Sequence, residues 1–174
     1  MIKLNLPLDE STIKSLHAGD TVYLSGEVYT ARDAAHKRFF DLLDNGEKLP
    51  FEIEGASIYY AGACPAKEGE PSGSAGPTTS ARMNYFAPRL IDMGLKVIIG
   101  KGEMSEDVAA ALKKNGAVYF AAIGGAGALY GSKILKSEVV AFPELLSEAV
   151  RKLTIENFPV IVAVDSFGET IYKK

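Results

Sequence analysis

The chain has 174 residues, 47% hydrophobic and 24% charged, with a formal net charge of −3. That is enough for one complete hydrophobic core and short for two, so a single domain over residues 1–174 is expected. The acidic balance argues against nucleic acid as a partner, because a phosphate-binding face needs concentrated positive charge.

The amino-terminal stretch Met1-Ile2-Lys3-Leu4 leads into Pro7, Asp9 and Glu10 without a long apolar run. No signal peptide or membrane span is read from it, and a cytoplasmic location is expected. Residues 20–30 are rich in β-branched and aromatic types and read as a strand. Thr30 with Asp33 fits an N-cap and an acidic N3 residue. The helix that follows runs to about Leu43, turns Ala34, Ala35, Phe39 and Leu42 inward, and stops at Asn45-Gly46. Residues 51–61 read as one or two further strands through Phe51, Ile53, Ile58 and Tyr60.

From 62 to 79 glycine, alanine, proline and serine dominate and apolar periodicity vanishes, as in a disordered segment or a functional loop, and the ordered Gly-Pro-Thr-Thr turn at its end favours the loop. The single cysteine, Cys64, excludes an internal disulfide and reads as a small apolar residue before Pro65, with a ligand or reactive thiol as the alternative. A helix is predicted from about Ser80 to Met93, with Met83, Phe86, Leu90 and Met93 buried and Gly94 at its end. Pro88 within it should kink the helix or divide it into two short turns. Lys96 to Gly100 reads as a short buried strand, Ser105 as the cap of a helix ending near Gly116, and Val118 to Ile123 as a strand. Gly124-Gly125-Ala126-Gly127 lacks the residues of a phosphate loop and reads as a close-packing segment. Pro143 to Leu153 reads as a helix opened by proline. Val160 to Asp165 is an apolar strand, returned by a turn at Ser166-Phe167-Gly168-Glu169. Strands alternating with helices imply an α/β domain with mixed sheets.

Three polar groupings stand out. Gly76-Pro77-Thr78-Thr79-Ser80-Ala81-Arg82 places hydroxyls and a guanidinium at a helix start, where free N–H groups favour an anion. Thr78 and Arg82 are four apart. Either Arg82 grips a carboxylate while Thr78 reaches its reacting carbon, or the threonines cap the helix and Arg82 pairs with an acid. Arg32 and His36 are likewise four apart, His36 serving either to orient an anion or as a structural hydrogen-bonding residue. Lys101 lies between glycines just after a strand, where α/β folds place ligands, although an exposed turn lysine is the equal alternative. Asp165 is either a site carboxylate or a turn initiator.

These residues carry a resemblance that spans about Leu4 to Tyr172. The run Leu24-Ser25-Gly26 to Tyr29-Thr30-Ala31-Arg32-Asp33-Ala34-Ala35-His36, then Gly76-Pro77-Thr78-Thr79 with Arg82-Met83, resembles the β subunit of class I fumarate hydratase. Gly100-Lys101-Gly102, Gly124 to Leu129, and Phe158-Pro159 with Val164-Asp165-Ser166 are similar to further blocks of that family, and the L(+)-tartrate dehydratase β subunit shares much of the pattern. The resemblance implies a swivelling β/β/α domain and a hydro-lyase that interconverts fumarate and L-malate. It implies a [4Fe–4S] cluster held by three cysteines of a partner α subunit, none held by this chain, and a two-fold β–β contact. It implies that Arg32, Arg82 and Lys101 bind substrate carboxylates and that Thr78 handles a proton, with Asp33, His36 and Thr79 in support. A dicarboxylate-binding module or a regulatory subunit without its own chemistry is the alternative.

Overall fold

A computed structural model describes residues 2–62, 66, 68–122 and 127–172. Among the described residues, seven strands and five α-helices follow in the order β1 (Ile2–Asn5), α1 (Glu10–Ser15), β2 (Thr21–Thr30), α2 (Asp33–Asp44), β3 (Ser57–Tyr59), α3 (Ala87–Asp92), β4 (Val97–Gly100), α4 (Glu106–Asn115), β5 (Val118–Ala121), α5 (Gly127–Ser132), β6 (Ile134–Ala141) and β7 (Val150–Val164). The strand order is β1-β2-β3-β4-β5-β7-β6, with β2 also paired to β7. Neighbours β2, β3, β4 and β5 are parallel, and β7 runs antiparallel to both β5 and β2. The extra pairing therefore closes β2-β3-β4-β5-β7 into a ring, leaving β1 and β6 as additions on its flanks. This is the mixed-sheet, swivelling β/β/α architecture expected from the sequence.

The ring buries two apolar layers because strand side chains alternate between faces. Val22, Leu24, Val28, Tyr59, Val97, Ile99, Val118, Phe120, Phe158, Val160 and Val162 form one. Ile58, Ile98, Tyr119 and Ala163 belong to the other, packed with Phe39 of α2, Leu90 and Ile91 of α3, and Val108 and Leu112 of α4. The neighbouring strand residues Ile58 and Tyr59 thus serve opposite layers, which explains why so short a strand is buried throughout.

Several elements form for local reasons. Ser105 Oγ accepts the Val108 N–H at 3.4 Å to start α4, and Gly116 ends it at φ 65°. Asn45 and Gly46 close α2 as predicted, Gly46 at φ +74°. Pro88 divides the expected 80–93 helix into a 3-10 turn, Ser80–Met83, and the separate α3, where proline sits in the first turn and its missing N–H costs nothing.

Other expectations are corrected. Thr30 does not cap α2: its hydroxyl donates to the Ala149 carbonyl at 3.4 Å and accepts the Arg151 N–H at 3.1 Å, and Arg32 takes the N-cap position. Between 51 and 61 only Ser57–Tyr59 is strand, although Ile53 is buried. Met93 is 37% exposed rather than buried. The helix predicted over Pro143 to Leu153 is a 3-10 segment, Pro143–Glu148, broken by the non-helical Leu146. Residues 150–153 instead begin β7, because β2 on one side and β6 on the other offer them hydrogen-bonded partners. Strands β1 and β6 and helix α1 were not read from the sequence. Cys64 and Gly124 to Ala126 lie outside the described residues.

Candidate active site

Because β2, β3 and β4 are parallel neighbours, their carboxyl ends lie at one end of the ring, where α/β folds place ligands. Arg32 follows β2, Tyr60 follows β3 and Lys101 follows β4. The segment from Pro77 to Arg82 crosses that end. Pro77 bridges to Ala61, and the Thr78 N–H donates to the Tyr60 carbonyl at 2.8 Å. Thr79 bridges to Lys101, and the Ser80 N–H donates to the Lys101 carbonyl at 2.9 Å. The three polar groupings of the sequence therefore meet in one place.

Arg82, in the 3-10 turn, joins two of them. Its Nη2 donates to Thr78 Oγ1 at 2.9 Å and to Asp33 Oδ1 at 3.0 Å. The arginine thus pairs with an acid, as one of the two readings had it, and it also touches the threonine. With Nη2 so engaged, the remaining guanidinium N–H groups make no hydrogen bond among the described residues and suit a carboxylate. Thr79 is exposed and makes no side-chain cap, so the capping role stated for the threonines does not hold at this position.

Arg32 runs along Gly62, where a Cβ would lie 3.3 Å from Arg32 Cδ and 2.7 Å from the Ser147 carbonyl oxygen. Its Nε is 4.0 Å from Glu148 Oε1 and has no hydrogen-bond partner among the described residues. The same Glu148 oxygen accepts the Ala34 N–H at 3.2 Å, at the start of α2. A carboxylate already rests where a helix N-terminus and an arginine favour one. Glu148 was missed in the sequence, since it falls in the segment read as helix and lies 114 residues from Ala34.

His36 is fully buried among the rings of Phe39, Tyr60 and Phe86. Its Nδ1 is 2.8 Å from the Arg32 carbonyl, which can only accept, so Nδ1 carries the proton. Burial lowers the imidazole to a pKa of about 4, and the ring is neutral near pH 7. It tethers the Arg32 backbone at the turn into α2, which is the structural alternative. The Nε2 of His36 and the hydroxyl of Tyr60 have no partner among the described residues.

Lys101 is half-buried, and its ammonium forms no ion pair among the described residues. Asp165 is a turn initiator: Oδ1 accepts the Phe167 and Glu169 N–H groups at 2.9 and 3.0 Å, and Oδ2 the Ala18 N–H at 3.0 Å. Among the described residues no group of three or more His, Cys, Asp or Glu could hold a metal ion, and no helix is long and apolar enough to cross a membrane.

Comparison with known proteins adds to this geometry. Residues 1–174 match the family described as Fumarase C-terminus. A protein of Methanocaldococcus jannaschii, provisionally named L(+)-tartrate dehydratase subunit beta, is 40% identical over 173 residues, 96% of this chain and 89% of its own. Fumarate hydratase 2 of Leishmania major is 38% identical and the aerobic class I fumarate hydratase of Escherichia coli K12 is 36% identical, each over 99% of this chain. The chain spans only 31% and 32% of the length of those two enzymes.

Proposed function

The chain belongs to the Fumarase C-terminus family, and on that premise we propose that it is the β subunit of an iron–sulfur hydro-lyase that interconverts fumarate and L-malate in the cytoplasm. The observation that carries this reading is the Arg82 junction, where one guanidinium nitrogen meets both Thr78 and Asp33.

In the dehydration direction the C3–H bond of malate breaks, its electron pair forms the C2–C3 double bond, and hydroxide leaves from C2. Arg32, Arg82 and Lys101 clamp the two carboxylates, which orients C3 and offsets the charge that develops on the neighbouring carboxylate. Thr78, having given its own hydroxyl proton to solvent, takes the C3 proton on Oγ1. An alcohol is a weak base, and the charge-assisted bond from Arg82 favours negative charge on that oxygen. Asp33 accepts from the same guanidinium nitrogen, and His36 tethers the turn that presents Arg32.

A three-thiolate [4Fe–4S] site does not fit a chain with one cysteine. The cluster is therefore assigned to an α subunit docking beside the carboxyl ends of β2, β3 and β4, with a β–β contact completing the assembly. A second reading, dehydration of L(+)-tartrate, draws on the M. jannaschii relative, whose length this chain nearly matches.

The test is anaerobic reconstitution with a cluster-loaded α-type partner, assayed on fumarate, L-malate and L(+)-tartrate. Turnover of one of them, lowered about a hundredfold or more by Arg82→Ala, is expected. A loaded, stoichiometric complex that converts none of the three overturns the proposal.

A further inference from the structure

Ser80 has a side chain that none of the roles above uses, and it is fully buried. Its Oγ accepts the Lys101 N–H at 2.8 Å, while its own N–H donates to the Lys101 carbonyl at 2.9 Å. One residue thus grips both backbone groups of another. The Ser80 and Tyr119 hydroxyls are 2.8 Å apart, and Tyr119 Oη is 2.6 Å from the Gly102 carbonyl. That carbonyl can only accept, so the single phenolic proton points to it, and the proton between the two hydroxyls belongs to Ser80. The chain of donors then runs from the Lys101 N–H to Ser80, from Ser80 to Tyr119, and from Tyr119 to the Gly102 carbonyl. It grips the backbone on both sides of the Lys101 side chain. Burial raises the Tyr119 pKa, so the phenol keeps the proton that this chain needs. Gly100 makes room for it: a Cβ there would lie 1.9 Å from Ser80 Oγ.

The geometry points to Ser80 and Tyr119 as positioning residues, which hold the Lys101 loop in register with the Thr78–Arg82 turn and so set where the Lys101 ammonium meets a carboxylate of the substrate. This rests on the reading of Lys101 as a carboxylate-binding residue. Neither hydroxyl touches substrate. Both act through the backbone on either side of the lysine, and misplacing a binding group by a fraction of an ångström weakens binding without removing any contact residue.

The experiment is a double-mutant cycle in the reconstituted complex, reading KM and kcat separately for the dicarboxylate that the complex turns over. Ser80→Ala is expected to raise KM about tenfold with kcat changed less, and Tyr119→Phe to act in the same direction more weakly. In a Lys101→Ala background both effects should fall to within about twofold, because the group they place is gone. Effects of equal size in both backgrounds would mark a general structural role and overturn the inference while leaving the role of Lys101 intact. An unchanged KM in both single variants would also overturn it. If Lys101→Ala itself leaves KM unchanged, the lysine does not bind substrate, and the inference falls with that reading. Tyr119→Phe keeps the buried ring, so the cycle can be completed with it if Ser80→Ala does not assemble.

Discussion

Arg82 and Asp33, 49 residues apart in the chain, meet at 3.0 Å, and the guanidinium nitrogen that makes this pair also reaches Thr78 at 2.9 Å. A lysine would keep the charge but not the planar fork that serves two partners while leaving N–H groups for a ligand. Arg82→Lys and Arg82→Ala are therefore both expected to lower kcat/KM about a hundredfold or more. Asp33→Asn, which keeps an oxygen acceptor, should cost less than about tenfold. Steady-state rates of the reconstituted complex decide this, and near-normal turnover by Arg82→Lys would show that charge alone suffices.

Thr78 is expected to act through its oxygen. Thr78→Ser retains Oγ and should stay within about tenfold of the parent kcat, whereas Thr78→Val should lose about a hundredfold or more. KM should move little in either, since the arginines and the lysine remain. Exchange of the malate C3 proton with deuterated solvent reads the step itself. If Thr78→Val exchanges that proton at the parent rate, another group removes it.

The buried, neutral His36 makes stability depend on pH. Its folded pKa of about 4 lies below the ordinary value of 6.5, so the unfolded chain takes up a proton first as pH falls. The stabilisation is fully present above 6.5 and is lost progressively down to about 4. Between pH 7 and pH 5 this amounts to about 2 kcal/mol. Urea midpoints across that range should fall for the parent and fall less for His36→Gln. Parallel curves for the two would mean that the histidine is not buried as described.

Gly100→Ala should destabilise the fold by about 1–3 kcal/mol, because the added methyl meets Ser80 Oγ at 1.9 Å and the Tyr60 ring at 3.0 Å. The cause is crowding rather than backbone conformation, since Gly100 is not among the positive-φ glycines. Gly19→Ala provides the contrast, with nothing within 4 Å of its Cβ but a φ of +97°. Adding Ser80→Ala should recover part of the loss at position 100 and none at position 19, as thermal unfolding of the double variants would reveal.

Elements whose limits are set by near neighbours in the chain were legible. The helix between Ser105 and Gly116 is bounded by its own cap and its own left-handed glycine, and Pro88 divides the 80–93 segment by a clash within one turn. The failures were of another kind. Thr30 looks like a cap, but its hydroxyl is taken by Ala149 and Arg151 from the far end of the chain. Residues 150–153 have helical spacing but lie between two strands that complete their hydrogen bonds. Glu148 carries no local signal, because its partners Arg32 and Ala34 are over a hundred residues away.

By itself the sequence determined the chemistry at hand: which short runs carry cations and hydroxyls, where turns must fall, and that one cysteine cannot supply a cluster site. Helix caps, left-handed glycines and proline act within a few residues, so a linear reading reaches them. Only the tertiary structure decided that Arg32, Thr78, Arg82 and Lys101 share one end of a ring, that Asp33 pairs with Arg82 and Glu148 lies beside Arg32, and that Ser80 holds the Lys101 backbone. Those contacts depend on three parallel strands aligning their carboxyl ends and on β7 closing the ring against β2. Such pairings join residues as much as 140 positions apart (Thr21 with Ile161), where no local preference operates.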